Sequence, residues 1–466
     1  MTPSTPFQSL ILAAGMGTRM RSDTIKVLHP LLGTPLLGHV TQAALAAGSR
    51  QIIPILGHQR ERVEAWLNAQ PYADQIRVAV QNEQLGTAHA VACALDALDP
   101  DLPYTLILSG DVPNLDAQTL RDFINAAAAS GCDLAVMTAI LKDPASYGRI
   151  IRSTNGHLSA IVEYKDASED QRLITEINAG IYLARTSFLR EAIPAIMEAG
   201  TNNAQNEYYL TDLVALAARK EQARAWPVPT PELIQGVNDR LDLARATAYV
   251  RTRTLERWMK AGVTLIDPAR TLIEPTATLE PDVVLEPDVS ICGTSHIASG
   301  AYIEQGCRIT DSHIGPGARL LAHCYLNQAR VEADASIGPF AHLRPGADIG
   351  PGCKVGNFVE IKKSRMEEGA KASHLTYLGD AQVGAGANVG AGTITCNYDG
   401  KNKHRTTIGP GAFIGSNTAL VAPISIGAGA YVGAGSTLTE DVPDRALGVA
   451  RGRQRNIEGW AEPDPE

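Results

Sequence analysis

The sequence predicts two different folds in one chain: an α/β domain with a mainly parallel, Rossmann-like sheet, followed by a parallel β-helix. Three observations carry this. Up to about residue 237, short apolar runs alternate with amphipathic stretches. A Pro-free segment rich in Ala, Leu and Arg follows at 238–262. From 263 to the end of the 466-residue chain, an aliphatic residue returns with a period of six. A chain of this length is also too long for one core of ordinary size.

In the first region Ser9–Ala14, Gln51–Leu56, Arg77–Val80, Tyr104–Leu108 and Asp133–Thr138 read as strands. Between them Leu36–Ala47, Glu61–Ala69 and Ala88–Leu98 read as amphipathic helices. Strands alternating with helices make βαβ units and a mainly parallel sheet. Ligands on such sheets bind at the carboxyl ends of the strands. The segment 238–262, NDRLDLARATAYVRTRTLERWMKAG, reads as a connecting helix with Gly262 at its C-cap.

In the last region the aliphatic positions run Ile273, Leu279, Leu285, Ile291, Ile297, Ile303, Ile309 without a slip. The register drops by one and resumes at Ile314, Leu320 and Leu326, then drops again into Val331, Ile337, Leu343, Ile349, Val355 and Ile361. A last run follows the insertion NYDGKNKHR: Ile408, Ile414, Leu420, Ile426, Val432 and Leu438. A fixed short period means a solenoid. Six residues per face, with one aliphatic pointing inward, describe a three-sided prism whose coils stack about 4.8 Å apart. The period alone does not give its hand, and the usual crossover rule favours a right-handed one.

Composition excludes several classes. A net charge of −9 argues against a nucleic-acid coat protein or a polybasic membrane binder. No stretch approaches the 18 or so uninterrupted apolar residues that a spanning helix needs, and the N-terminus carries no basic leader with an apolar core. The seven cysteines are scattered and form no CxxC pair, so neither zinc nor a disulfide framework is expected. They read as thiols in a reducing cytosol.

Three loops in the first domain carry phosphate or metal chemistry. Leu12-Ala13-Ala14-Gly15-Met16-Gly17-Thr18-Arg19 follows the first strand, and its glycines allow backbone amides to nest an anion. It is neither a P-loop nor a GxGxxG fingerprint. Arg19 and Lys26 add two cations suited to a triphosphate. Leu108-Ser109-Gly110-Asp111 sets a carboxylate just past an apolar strand, a suitable Mg²⁺ ligand. Gln84-Leu85-Gly86-Thr87 opens a helix. In the solenoid, the segment from Ile361 to Ile408 departs from the repeat with residues that packing does not require, among them His374 and Lys403.

These loops, with Tyr147-Gly148-Arg149-Ile150, Glu163-Tyr164-Lys165, Asn178-Ala179-Gly180 and Gly236-Val237-Asn238-Asp239, resemble the sugar-nucleotidyltransferase (pyrophosphorylase) family. The repeats resemble the hexapeptide acyltransferases, whose β-helix is left-handed. Together the chain resembles the bacterial bifunctional N-acetylglucosamine-1-phosphate uridylyltransferase/glucosamine-1-phosphate N-acetyltransferase family from about Ser9 to Trp460. One departure is Met16, where that family usually has lysine.

The resemblance implies domains at 1–237 and 263–466 joined by a helix at 238–262. It implies that Leu12, Ala13, Ala14, Gly15, Gln81, Gly86, Thr87, Ser109, Gly110, Gly148, Glu163 and Asn178 contact UTP or UDP-N-acetylglucosamine. Arg19 and Lys26 would face the phosphates as catalytic residues, and Asp111 and Asn238 would ligate Mg²⁺. In the solenoid His374 would be the general base. Arg344, Lys362, Tyr377, Asn388 and Lys403 would bind the amino-sugar phosphate, and Ala391, Asn397, Tyr398, Ser416, Ala434 and Arg451 acetyl-CoA. The implied partners are UTP, acetyl-CoA and glucosamine-1-phosphate, in a cytoplasmic homotrimer that binds neither nucleic acid nor membrane. Two rival readings are a pyrophosphorylase with a purely structural solenoid and a silent regulatory subunit. Intact Arg19, Lys26, Asp111 and His374 argue against silence.

Overall fold

The computed structural model describes residues 5–461. Contacts divide the chain into two compact units, residues 1–250 and 251–466, so the division falls inside the helix Arg240–Lys260.

The first unit is built on strands β1 (Phe7–Leu12), β2 (Ile52–Leu56), β3 (Ala79–Val80), β4 (Tyr104–Ser109), β5 (Leu134–Ile140), β6 (Arg149–Arg152), β7 (Leu158–Val162), β8 (Glu176–Arg185) and β9 (Ala223–Pro227). Their main order is β9-β5-β8-β4-β1-β2-β3, with β6 and β7 attached beside β8. β1, β2, β3 and β4 run parallel, as do β5 and β9, while β8 runs antiparallel between β4 and β5. Successive side chains feed opposite faces. Phe7 and Ile11 enter one core with Val40, Phe123 and Ile124, whereas Leu10 enters the other with Leu189 and Ile193. Burial on both faces is why these strands read as continuous apolar runs. The strand read as Ser9–Ala14 ends at Leu12, leaving Ala13 to Gly15 as loop. The helix read as Ala88–Leu98 ends at Ala92, and a short turn at Leu95–Ala97 completes the span.

In the second unit two- to four-residue strands stack into three parallel sheets of eleven, ten and nine strands. Ile273, Ile291, Ile309, Leu326 and Leu343 lie in register on one face. Each aliphatic of the six-residue period is at most 6% exposed. At both register drops the corner is one residue shorter: its left-handed residue (Asp311, φ 47°; Gln328, φ 47°) comes two positions after the inward aliphatic, whereas at six-residue steps such as those after Leu285 and Val331 it comes three positions on (Asp288, Asp334). Lys363 (φ 46°) and Asp380 (φ 48°) make two more such short corners.

The expected interruption between Ile361 and Ile408 is smaller than the sequence suggests. Met366, Ala372, Leu378, Val383 and Val389 continue the buried column, and Thr395 takes the next inward place. Only the loop at 397–405 leaves the stack. Ala372 and Thr395 hide the period because neither is a large aliphatic.

Candidate functional site

In the first unit, β1 and β4 are neighbours and end side by side, Leu12 opposite Ser109. Beyond their carboxyl ends lies a cleft of about 350 Å³ lined by Leu12, Ala13, Ala14, Gly15, Lys26, Gln81, Gly86, Thr87, Ser109 and Asp111. A smaller cavity of about 240 Å³ shares Ser109 and Asp111 and adds Gly148, Glu163, Asn178 and Asn238. The fold thus gathers residues from loops more than a hundred positions apart. Arg19 Nη2 donates to Asn238 Oδ1 at 2.8 Å, and Lys26 Nζ pairs with Asp111 Oδ2. Val237 N–H donates to the Asp111 carbonyl at 2.8 Å, which draws the two proposed metal ligands together. Asp111 Oδ1 and Asn238 Nδ2 both lie within 4.0 Å of the point a Cβ on Gly236 would take.

Gly110 does not line either cavity: its N–H donates to the Leu12 carbonyl at 2.9 Å, tying β4 to β1 from behind. Met16 is 55% exposed and outside the cleft lining, so this loop meets the cleft through Ala13, Ala14 and Gly15. Gly86, at φ 117°, is required: an added Cβ would stand 2.5 Å from the Tyr208 carbonyl oxygen. Tyr208 clamps this loop, donating to Leu85 O at 2.8 Å and accepting from Ala88 N at 2.9 Å.

In the smaller cavity burial pushes the Glu163 carboxyl above the ordinary range, and the charges of Asp166, Asp212 and Glu207 add to this, while a Thr211 hydrogen bond opposes it. Asn178 is oriented from both ends: Nδ2 donates to Tyr182 Oη at 2.8 Å and Oδ1 accepts from Gly180 N at 2.9 Å. A bulge in β8 between Asn178 and Tyr182 aims it. Sequence reasoning passed over Glu207, which lines the main cleft, and His89, which braces Gln81. Neither belongs to a recognisable spacing. Gln84, whose Nε2 donates to Ala14 O at 2.8 Å, sat in a loop already singled out.

In the second unit, His374 is exposed and its Nδ1 lies 2.7 Å from Asn357 Oδ1. The pairing Ala372–Val389–Ile414–Val432 puts Ala391, Ser416 and Ala434 at the same offset, two residues on, as His374. They form one ridge along the prism, about 14 Å long at 4.8 Å per coil. Arg451 joins it, donating from Nη1 to Ala434 O at 2.8 Å. A Cβ at Gly390 would stand 2.5 Å from Ile414 O, so only glycine lets these coils close up here. Across the next corner, Arg344 and Lys362 flank paired strands, with Arg344 Nη1 2.6 Å from Glu360 Oε1. The neighbouring Lys403 ammonium holds Lys362 below the ordinary lysine range, with Arg344 and Lys363 adding to the effect. Tyr377 Oη and Asn397 Nδ2 meet beside Gly379, 2.4 and 2.7 Å from its notional Cβ. Asn397 is buried and bonded to Asp380, whereas Tyr398 is 60% exposed in the loop. Asn388 lies on the same sheet as the ridge, between Lys371 and Phe413.

Residues 9–177 match the MobA-like NTP transferase domain, and residues 328–363 and 405–440 match the bacterial transferase hexapeptide of six repeats. The chain is 48% identical over 453 residues to bifunctional protein GlmU of Trichlorobacter lovleyi, covering 97% of each chain. It is 50% identical to bifunctional protein GlmU of an Anaeromyxobacter species over 98% of this chain and 92% of that one. The corresponding protein of Geobacter sulfurreducens is 47% identical over 97% of this chain and 98% of its own. The chain belongs to the GlmU family. The solenoid is the left-handed parallel β-helix of hexapeptide repeats, and the α/β unit is the NTP transferase domain. Among the described residues no helix is long and apolar enough to cross a membrane.

Proposed function

We infer that this protein is a bifunctional enzyme that makes UDP-N-acetylglucosamine by two successive transfers, acetylation in the solenoid and uridylyl transfer in the α/β unit. In the first, the amine of glucosamine-1-phosphate attacks the thioester carbonyl of acetyl-CoA; the C–N bond forms and the C–S bond breaks. In the second, a phosphate oxygen of N-acetylglucosamine-1-phosphate attacks the α-phosphorus of UTP and pyrophosphate leaves.

The observation that carries this reading is that one chain assembles both sets of groups at separate places. Asn357 Oδ1 can accept a hydrogen bond only from a protonated Nδ1, which leaves the His374 Nε2 lone pair free to take the amine proton. Arg344, Lys362 and Lys403 supply the positive field for the sugar phosphate. In the α/β unit the phosphate nucleophile, with a second pKa of about 6, needs no general base, so charge neutralisation and alignment carry the step. Lys26 and Arg19 contribute the charge, and Glu163 and Asn178 hold the sugar hydroxyls.

The donor set suits Mg²⁺: Asp111 and Asn238 offer two hard oxygens, and in this structure each of those side-chain oxygens already attracts a cation, Lys26 or Arg19. Bound there with the phosphates, the ion would neutralise their charge as a Lewis acid. A homotrimer is supported by an exposed apolar column beside His374: Phe340, Phe358 and Leu375 are 49%, 56% and 62% exposed. Seven unpaired cysteines support the cytoplasm.

The test is one pair of assays on the purified protein: CoA released from acetyl-CoA with glucosamine-1-phosphate, and pyrophosphate released from UTP with N-acetylglucosamine-1-phosphate. Both should proceed independently. Pyrophosphate release without CoA release would leave a monofunctional pyrophosphorylase with a structural solenoid.

A further inference from the structure

We propose that His89 is a positioning residue: it fixes the orientation of the Gln81 side-chain amide and so sets the preference for uracil over cytosine in the nucleotide cleft. The proposal rests on the reading that this cleft takes UTP.

Gln81 lines the cleft and is only 5% exposed. Its Nε2 lies 3.1 Å from the Gly86 carbonyl oxygen and 3.1 Å from His89 Nδ1. A carbonyl oxygen can only accept, so the atom facing Gly86 O is the amide nitrogen. Its second hydrogen then points to His89 Nδ1, which must offer a lone pair. The imidazole is therefore neutral and carries its proton on Nε2, 3.8 Å from Cys93 Sγ. Burial raises the Cys93 thiol above its usual range, so the sulfur remains an uncharged weak acceptor.

With both amide hydrogens committed, Gln81 Oε1 is the atom left for a ligand. Among the described residues neither that oxygen nor the Gly86 N–H has a hydrogen-bond partner. An acceptor and a donor on neighbouring residues suit uracil, whose N3–H donor adjoins its O4 acceptor. Cytosine reverses both: N3 accepts and the 4-amino group donates. Turning the Gln81 amide over would suit cytosine at N3, though not at the 4-amino group that the Gly86 N–H would still face, and it would set Oε1 against Gly86 O on one side and the His89 lone pair on the other. Gly86 cannot swing away, because Tyr208 clamps its loop. His89 is the half of this lock that a side-chain substitution can remove.

The experiment measures pyrophosphate release with UTP and with CTP, with saturating N-acetylglucosamine-1-phosphate, in the full-length enzyme. His89→Leu should lower the UTP-to-CTP ratio of kcat/KM by about 3–10-fold, the worth of one hydrogen bond. The change should fall on the KM for UTP and leave kcat within about twofold. His89→Asn, whose Oδ1 can accept in place of Nδ1, should hold the ratio near wild type; a purely structural role would not make this distinction. Equal loss in both variants, or an unchanged ratio in His89→Leu beside a lowered one in Gln81→Leu, overturns the assignment and leaves the UTP reading standing. An unchanged UTP KM in Gln81→Leu overturns the UTP reading of the cleft and the assignment with it. If His89→Leu does not fold, imidazole ¹⁵N shifts of the wild-type protein decide: a proton on Nε2 supports the proposal and one on Nδ1 overturns it.

Discussion

The two sites of this chain are built in opposite ways. In the α/β unit, loops from β1, β4, β8 and the segment before Arg240 converge on a concave cleft, and several of the proposed ligand side chains have a second residue holding them. Arg19 is tied to Asn238, Lys26 to Asp111, Asn178 to Tyr182 and Gln81 to His89. In the solenoid, the proposed residues lie on a straight ridge and an adjoining face, with His374 exposed at the corner between them. A doubly wound sheet makes its own crevice, whereas a prism has only flat faces and corners.

The largest effects separate the two sites by chemistry. Asp111→Asn keeps the size of the side chain but removes the charge of a hard-cation ligand. Losing several kcal/mol of transition-state stabilisation there should slow pyrophosphate release by about 10³-fold, with CoA release unchanged. His374→Ala should do the reverse, lowering CoA release by about 10²–10⁴-fold, the usual worth of a general base. Both rates are measured on the same preparation. Loss of both activities from either substitution would mean that the sites are not independent.

The next test asks whether a second copy closes the solenoid site. Phe340 and Phe358 stack at 5.5 Å on the corner column, and both sit in the left-handed region, at φ 55° and 57°. A large side chain there costs about 1–2 kcal/mol, and asparagine tolerates it better. Packing within one chain offsets only part of that strain, through ring stacking on a column that stays about half exposed. Phe340→Asn with Phe358→Asn should therefore keep or raise the thermal stability of the solenoid while breaking the oligomer. Sedimentation should show monomers, with CoA release down at least about tenfold and pyrophosphate release intact. An active, fully assembled double variant would place the interface elsewhere.

The same comparison says what a sequence can and cannot show. The solenoid was legible almost coil by coil because one aliphatic per face is a packing requirement, and requirements of that kind repeat. It failed from Ile361 to Ile408, where the small Ala372 and the polar Thr395 break the aliphatic run and hid Met366, Leu378, Val383 and Val389 with them. The phosphate loop and Asp111 stood out as local motifs, whereas Asn178, at a bulge of β8, entered through the family resemblance alone. The partners that hold these residues did not stand out, since Val237 to Asp111 and His89 to Gln81 are contacts made by the fold and leave no spacing behind. Gly110 was singled out with Ser109 as a ligand residue; outside both cavity linings, its N–H ties the end of β4 to β1, a contact that no motif announces.

A smaller effect concerns where the solenoid begins. Leu255 belongs to the buried solenoid core and Trp258 packs against it, although both lie in the connecting helix. A fragment starting at Met259 removes both, while one starting at Arg251 keeps them. Loss of large core side chains costs about 2–5 kcal/mol each when fully buried, and less for the half-buried Trp258. The shorter fragment should have the lower unfolding midpoint in denaturant, with CoA release in both if each assembles. Equal midpoints would show that the helix contributes nothing to the solenoid.

The smallest predicted effect is a trade between activity and stability at Glu163. Its carboxyl is raised above its ordinary value chiefly by burial, and next by Asp166, Asp212 and Glu207. For an acid raised on folding, the neutral form is favoured in the folded state. Stability from this group is therefore full below its unfolded pKa of about 4.3 and is lost as pH rises through the higher folded value. At pH 7–8 the ionised carboxylate opposes folding. Glu163→Gln removes the charge and keeps the shape, so the α/β unit should melt higher at pH 7–8 by at most a few degrees, about 1 kcal/mol being worth about 2–4 °C in a unit of this size. The gain should shrink as pH falls towards 4.3, and pyrophosphate release should fall because a proposed sugar contact has lost its charge. Scanning calorimetry at several pH values decides it. A gain that stays constant with pH, or a loss of stability at pH 8, would mean that the Glu163 carboxylate is held by favourable contacts that outweigh its burial.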